Sequence, residues 1–100
     1  MAVDRRVVRV SPAFFDQLDA QLDSDRGSAG EPSATDFLVI DLPPIVDRFA
    51  TDFEALPEVV PGVPAARVLV ATGRLVRAVA VYGILAADDS IDLIGVELDP

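Results

Sequence analysis

Few side chains in this chain can take part in chemistry. The residue types that are absent exclude the most classes of function. The sequence contains no histidine, no cysteine and no lysine. It therefore lacks the usual general base near neutral pH, a thiolate nucleophile, a Schiff-base amine and the preferred ligands of zinc, copper and haem. Carboxylates, arginines, a few hydroxyl groups and a single tyrosine, Tyr82, remain.

The best chemical constellation lies in the last third of the chain, where Arg67, Arg74 and Arg77 precede Tyr82. The competing interpretation is structural, with arginines that straddle a sheet and reach water with their charged ends. The serines have no histidine or lysine to activate them, so a serine hydrolase is excluded.

A second constellation is the carboxylate stripe formed by Asp16, Asp19 and Asp23, which share one helix face at spacings of three and four residues. Hard divalent cations take oxygen ligands, so a metal site is conceivable there. A solvated helix face explains the same pattern and is the preferred interpretation. The sequence thus predicts no metal site and no cofactor.

The charge balance is strongly acidic, with 17 acidic residues, 8 basic ones and a net charge of −9. Eleven of the acids lie between residues 16 and 58, where Arg26 and Arg48 are the only basic residues. A field of this sign repels phosphate backbones and anionic lipids, which disfavours nucleic-acid or membrane binding through this stretch. The stretch is interpreted either as a solubilising surface or as a docking face for a basic partner.

Nothing in the sequence indicates a membrane or an exported protein. No uninterrupted apolar run approaches the roughly 20 residues that a membrane span needs. The basic N-terminus is not followed by the apolar stretch of a signal peptide. The absence of cysteine rules out disulfides but says little about the compartment, so the cytoplasm is taken as the default location.

The first third of the chain predicts a strand followed by a helix. Residues 5–10 are short and rich in β-branched side chains, which favours a strand. Ser11 and Pro12 form a helix-start signal, with a hydroxyl cap before a proline in the first turn. Apolar residues then recur every three or four positions, which predicts a helix over 12–24.

The middle of the chain predicts a mobile loop and a second helix. Residues 25–35 have loop composition, whereas the state of 36–42 stays open. Because the residue before a proline is disfavoured in the α region, Pro43 and Pro44 predict that the helix begins near 43 and runs over 43–56. Its apolar residues form one stripe. All five phenylalanines are expected in the core: Phe14, Phe15, Phe37, Phe49 and Phe53.

The last third predicts a three-stranded antiparallel meander over 66–98. Three apolar, β-branched runs are separated by turn sequences. These runs are 67–71, 75–85 and 91–98. A two-residue turn at Thr72 and Gly73 would place Val68 opposite Arg77.

That register assigns the two faces of the meander. The core face would carry Val68, Val70, Leu75, Val79, Val81, Leu85, Ile94, Val96 and Leu98. The opposite face would carry Arg67, Leu69, Arg74, Val76, Tyr82 and Glu97. Arg77 would be buried and would need a carboxylate partner such as Asp16 or Asp52. A slip of one residue in either turn would exchange the faces.

Together these elements predict one α+β domain spanning 1–100. Its order is β-α-x-α-β-β-β, where x is the undecided segment. The expected architecture is a predominantly antiparallel sheet of about four strands with two helices packed on one face.

This element order resembles that of the RelE/ParE-like toxins of bacterial toxin–antitoxin systems. Residues 7–22, with the helix that opens on Ser-Pro, and residues 67–98 carry the likeness. Within the latter, 73–82 is similar to the second hairpin strand of the family, which contains a glycine, an arginine and a tyrosine. The resemblance implies a small bacterial module whose partner is an antitoxin-like protein.

Toxins of this family are commonly basic, whereas a chain of net charge −9 would be repelled by ribosomal RNA. The main prediction is therefore binding to an antitoxin-like or other basic protein, through the exposed sheet face or an edge strand. Arg77 and Glu97 are the predicted binding residues. The sequence leaves open whether the chain forms a dimer through a sheet edge.

Two alternative functions stay open as well. The resemblance implies a ribosome-dependent mRNA endonuclease, in which Arg67 and Arg74 hold phosphate and Tyr82 takes part in proton transfer. The composition is also compatible with an acidic adaptor or inhibitor that docks a basic partner through residues 16–58.

Overall fold

The computed structural model describes residues 5–22 and 33–99 of the chain. Its elements in chain order are strand β1 (Val8–Val10), helix α1 (Pro12–Gln21), helix α2 (Ala34–Asp36), a π-helical turn (Phe37–Asp41), helix α3 (Leu42–Asp52), a 3₁₀ turn (Phe53–Ala55), and strands β2 (Ala66–Ala71), β3 (Ala78–Leu85) and β4 (Ile91–Asp99). The first strand is thus shorter than the predicted 5–10, and α1 ends before the predicted residue 24.

The four strands form one sheet in the order β1-β4-β3-β2. The β2–β3 and β3–β4 pairs are antiparallel, whereas the short β1 runs parallel to the first residues of β4. The parallel pair follows from the chain path, because α1 carries the chain away from β1 and the meander returns to it from the far side of the sheet. The predicted α+β class with a predominantly antiparallel four-stranded sheet and two helices is confirmed.

Helix α1 begins where the sequence predicts. The hydroxyl of Ser11 accepts a hydrogen bond from the backbone N–H of Phe14 at 3.3 Å, and Pro12 occupies the first turn. Phe14 and Leu18 are buried, and Leu22 follows them into the core. Phe15 is 40% exposed, so its predicted place in the core is wrong, because it lies on the outer side of the helix.

The second helical rod begins about nine residues earlier than predicted. Ser33 caps it: the Ser33 hydroxyl accepts from the Asp36 N–H at 3.0 Å, and the Asp36 carboxylate accepts from the Ser33 N–H at 3.3 Å. This reciprocal capping box starts α2, so the predicted mobile loop is wrong for residues 33–35, and 25–32 lie outside the described residues.

The rod continues through Pro43 and Pro44 because it widens just before them. The chain from Phe37 to Asp41 makes a π-helical turn, and the Leu42 N–H donates to the Phe37 carbonyl five residues back. A proline ring within a regular helix collides with a carbonyl in the preceding turn, and the wider turn gives the ring room. The prolines thus lie in the first turn of α3, close to the predicted start at 43, but the helical rod to which α3 belongs begins earlier, at Ala34.

The connection between β2 and β3 is longer than the predicted two-residue turn. Ala71 pairs with Val79, so residues 72–77 all lie between the strands, and β3 begins at Ala78 instead of 75. The register differs from the predicted one by an odd number of residues, which exchanges the two faces of β2. Leu69 is consequently buried, whereas Val70 is 68% exposed.

A β-bulge sets the faces of β4. Tyr82 pairs with Gly95 but the next residue, Gly83, pairs with Leu93, so Ile94 is the extra residue. Leu93 and Val96 are both buried although they differ by an odd number of positions, and Ile94 is 37% exposed. The predicted core positions of Val68, Val70 and Ile94 are therefore wrong, as are the open-face positions of Leu69 and Val76, which are buried.

One hydrophobic core joins the described elements on the helix side of the sheet. Its largest fully buried side chains are Phe14, Phe37, Phe49, Phe53, Leu18, Ile91, Leu93, Val79, Val81 and Val96. The Phe49 ring of α3 packs against Gly83 of β3, where an added Cβ would lie 2.5 Å from that ring. The core therefore requires glycine at this position in the middle of β3.

Among the described residues, none of the helices combines the length and the apolar character needed to cross a bilayer.

Candidate functional site

Arg67 is held inside the structure. Its guanidinium donates to the carbonyls of Pro64 at 2.7 Å, Leu56 at 2.8 Å and Glu54 at 3.1 Å. It also lies 5.5 Å from the centre of the Phe53 ring, and its side chain is only 11% exposed. These contacts tie the chain after α3 to β2 on the helix side of the sheet, and they occupy donors that a phosphate would need.

Arg74 and Arg77 lie in the connection between β2 and β3, and both side chains are exposed. The backbone N–H of Arg77 donates to the Asp99 carbonyl at 2.8 Å. Arg77 is therefore at the surface, and the expectation that it would be buried with Asp16 or Asp52 is wrong, because the longer connection takes it out of the strand. Neither arginine forms an ion pair within residues 5–22 and 33–99.

Tyr82 and Glu97 lie on the face of the sheet that no described helix covers, which we call the open face. Tyr82 pairs with Val68 and Gly95, and Glu97 pairs with Ala80. The structure therefore brings Glu97 and Tyr82 to one surface. It separates the three proposed catalytic residues, because Arg67 points to the helix side, Arg74 lies in the connection and Tyr82 is on the open face.

The open face carries several exposed apolar side chains. Val70 is 68% exposed, and Ile84 and Ile94 are each 37% exposed. Two shallow grooves cross it, one of about 320 Å³ beside Tyr82 and Ile84 and one of about 250 Å³ beside Val70. Glu97 borders both grooves, and Val59 of the 57–65 segment, which is 42% exposed, adds apolar surface to the groove beside Tyr82.

The edge of β4 beyond β1 is closed by two glutamines of α1. Gln17 accepts from the Val96 N–H at 3.0 Å and donates to the Ile94 carbonyl at 3.2 Å. Gln21 accepts from the Leu98 N–H at 2.7 Å and donates to the Val96 carbonyl, also at 2.7 Å. Their side-chain amides thus make the hydrogen bonds that a neighbouring strand would make, and the edge cannot pair with another chain.

The outer edge of β2 is partly closed in the same way by the segment after α3. The Val59 N–H donates to the Ala66 carbonyl and the Val68 N–H donates to the Pro57 carbonyl, each at 3.0 Å. The next residue of β2 whose backbone N–H and C=O groups point away from β3 is Val70. These groups form no such bond within the described residues. One position of this edge is therefore open.

Part of the acidic stretch is paired with arginines. Ion pairs between described residues join Asp47 with Arg5, Asp52 with Arg48, Glu54 with Arg6 and Glu58 with Arg67. The Arg6 guanidinium, through its hydrogen bonds, holds the pKa of Glu54 below its usual value, and Glu54 and Asp89 together raise the pKa of Arg6. Asp16 and Asp19 are exposed on α1, whereas Asp23, Asp25 and Glu31 lie outside the described residues.

Asp41 is the buried acid of the chain's described part, with 4% of its surface exposed. Its two carboxylate oxygens accept from the backbone N–H groups of Arg74 at 2.7 Å and Leu75 at 3.0 Å. It therefore holds the connection between β2 and β3 against the π-helical turn. No group of three acidic side chains within the described residues is close enough together to hold a metal ion.

Sequence reasoning missed Gln17, Gln21 and Asp41, although each had a signal. The two glutamines are four residues apart and therefore share a helix face, but their role depends on which strand lies beside that face. Asp41 stands between the apolar residues Ile40 and Leu42, and an acid within an apolar run is typical of a buried, hydrogen-bonded carboxylate.

Comparisons of the chain with known protein families, with curated proteins and with solved structures gave no match.

Proposed function

We propose that this protein acts by binding another protein through the open face of its sheet. The observation that supports this most is the set of exposed apolar side chains on that face, Val70, Ile84 and Ile94. Isolated exposed apolar residues are ordinary, but contiguous apolar surface with a polar rim is typical of interaction sites. The expected partner class is the antitoxin-like protein that the resemblance to RelE/ParE-like modules implies.

The closed edges favour the face over edge-strand pairing. Addition of a strand needs a row of free backbone groups. The glutamines Gln17 and Gln21 occupy the row on β4, and the 57–59 segment leaves only the position at Val70 on β2 within residues 33–99. An apolar sheet face is most readily covered by an amphipathic helix, which buries the side chains without using the backbone of the sheet.

The charge around the open face favours a basic partner helix. Glu97 borders both grooves and Asp99 lies beside the one near Val70. A helix with an apolar stripe over Tyr82 and Ile84 and with basic residues on one flank would complement both parts of this surface. A second copy of the chain fits less well, because two molecules of net charge −9 repel each other.

Substitution of two equally exposed valines tests the proposal. The probe is the product of a short gene adjacent to the gene for this chain, and its binding is measured by calorimetry at two salt concentrations. Val70→Asp is expected to weaken binding about tenfold or more, since burial of an unpaired charge against an apolar partner is strongly unfavourable. Val39 is also 68% exposed but lies on the π-helical turn, so Val39→Asp is the matched control.

The result that contradicts the proposal is equal binding by the wild type and Val70→Asp, or no binding by the wild type. Thermal denaturation of both variants shows whether they remain folded. A basic partner also predicts that affinity falls as salt rises, because the rim charges are exposed and are screened. Binding that is insensitive to salt would remain compatible with an apolar contact on the open face, but it would exclude a partner helix with basic residues on one flank.

The endonuclease alternative is not favoured by a specific observation. It needs Arg67, Arg74 and Tyr82 at one place, and their side chains point to three different surroundings. Its test is expression in a bacterial host: growth arrest with cleavage of ribosome-bound mRNA, lost in Arg74→Ala and in Tyr82→Phe, would replace protein binding as the main function. The same test on Arg67→Ala is less informative, because Arg67 supports the fold.

A further inference from the structure

A cleft on the helix side of the sheet has features of a small-ligand site. It lies between the start of α3 and the connection from β2 to β3 and has a volume of about 210 Å³. The apolar part of its lining is formed by Ile45 from α3, Leu69 and Ala71 from β2 and Val79 from β3. We call it the connection cleft. It is on the opposite side of the sheet from the open face, so it is independent of the proposed protein interface.

Two arginines line the same cleft. Arg48 comes from α3 and Arg74 from the connection. Arg48 is paired with Asp52 at 3.2 Å, an exposed pair of the kind that contributes little and rearranges readily. Arg74 has no ion-pair partner among the residues that the structure describes. In a molecule of net charge −9, an apolar cleft with two cationic groups is a local exception.

The wall that carries Arg74 is held in place from below. Asp41 also lines the cleft, but both of its carboxylate oxygens accept backbone N–H groups of the connection, at 2.7 and 3.0 Å. Gly73 allows this close approach, because a Cβ there would lie 2.8 Å from the Asp41 carboxylate and 2.7 Å from Val76. The carboxylate of Asp41 thus faces the backbone of the connection. The backbone of Arg74, from which its side chain extends, is held in a fixed position.

We propose that the connection cleft binds an aliphatic carboxylate. The chain of the ligand lies on the apolar lining, and its carboxylate accepts hydrogen bonds from the guanidinium groups of Arg74 and Arg48. Guanidinium is the side chain best suited to a planar carboxylate, since its N–H groups match the two oxygens. Two kinds of molecule can supply an aliphatic carboxylate: a free short-chain acid and the C-terminal residue of a polypeptide. The cleft is large enough for either.

Titration followed by amide NMR shifts tests the proposal directly. Hexanoate is expected to shift the backbone amides of 45–48 and 72–74. Butyrate is expected to bind about five- to fifteen-fold more weakly, because each buried methylene contributes up to about fourfold in affinity. Hexanol is expected to bind about fivefold more weakly than hexanoate, because an exposed carboxylate–guanidinium pair contributes about this much. Hexylammonium is expected not to bind.

Two exposed arginines of the same connection supply the matched variants. Arg74→Gln is expected to weaken hexanoate about fivefold, whereas Arg77→Gln, which lies outside the cleft, is expected to leave it unchanged. Both side chains are exposed, so neither variant should affect folding. Ala71→Leu is expected to abolish binding by filling the cleft, and a thermal melt shows whether that variant is folded.

Peptides distinguish the two sources of the carboxylate. Acetyl-Ala-Ala-Leu with a free C-terminus is compared with the same peptide ending in an amide. Tighter binding of the free peptide than of hexanoate assigns the cleft to a polypeptide C-terminus, and the reverse order assigns it to a free acid. The proposal is overturned if no probe shifts the cleft amides at tens of millimolar, if hexanol binds as well as hexanoate, or if Arg74→Gln and Arg77→Gln behave alike.

Discussion

Arginines lie near both ends of β3, but their surroundings differ. At the end near the β3–β4 turn, Arg6 binds Glu54 and Asp89, and Arg9 binds Asp92 at 2.8 Å. At the other end, the β2–β3 connection is held by backbone hydrogen bonds to a buried carboxylate, and the exposed side chains of Arg74 and Arg77 have no ion pair within the described residues. We call these the paired end and the unpaired end.

The comparison shows that the role of an arginine depends on what lies within its reach. At the paired end the acids of α3, of the turn and of β4 satisfy the guanidinium groups, so these arginines fasten β1 to its neighbours. At the unpaired end Asp41 is buried, and its carboxylate already accepts two backbone N–H groups of the connection. The side chains of the connection therefore remain available to a ligand.

The largest effect is expected from removal of the buried carboxylate at the unpaired end. Asp41→Ala leaves the N–H groups of Arg74 and Leu75 without their acceptor, and we expect a loss of about 2–4 kcal/mol in the free energy of unfolding. Asp47→Ala is the control at the paired end, where an exposed ion pair with Arg5 contributes less than about 1 kcal/mol. Urea denaturation measures both, and similar losses would mean that the two ends do not differ.

A second, smaller effect on the free energy of unfolding is expected to distinguish Arg67 from Arg77. Arg67→Gln should cost about 2 kcal/mol, because it removes hydrogen bonds to the carbonyls of Leu56 and Pro64 and the contact with the Phe53 ring. Arg77→Gln should change stability by less than about 0.5 kcal/mol, as exposed substitutions usually do. Chemical denaturation of both variants checks this, and a destabilised Arg77→Gln would contradict the exposed position of Arg77.

The smallest effect concerns pH at the paired end. The pKa of Glu54 is lowered by Arg6, and the pKa of Asp88 is lowered by its hydrogen bonds with Ser90. A lowered carboxyl pKa contributes stability that is fully present above the unfolded value, about 4, and that is lost as pH falls through the folded value. Stability should therefore decline below about pH 4. In Arg6→Gln the Glu54 part of that decline should shrink, and an unchanged acid profile would show that the pair contributes nothing.

The sequence allows the element types to be predicted because their signals are local. The Ser11 cap, the apolar spacing of α1 and the three β-branched runs of the meander all act within a few residues. The start of the second rod differs from the prediction, because Ser33 and Asp36 form a capping box, whereas the prediction placed the boundary at Pro43 and Pro44. The π-helical turn removes the clash on which that boundary depended.

The candidate site was predictable only in part. Tyr82 and Glu97 do share the open face, and their relative placement followed from the β3–β4 pairing. Arg67 was assigned to the wrong face, because the connection from β2 to β3 has six residues instead of two and shifts the register by an odd number. Ile94 was misplaced for the same kind of reason, since the bulge beside Gly95 changes the parity of β4.

By itself, the sequence determined that the chain folds as strands and helices around one apolar core, and that it has no histidine or thiol chemistry. Strand alternation and helical spacing depend only on residues that are near one another in the sequence. They can therefore be recognised without knowledge of the fold. Only the tertiary structure decided which face of each strand meets the helices and which arginines are occupied. Those outcomes depend on turn length, on a single extra residue in β4 and on which carbonyls and carboxylates come within hydrogen-bonding distance.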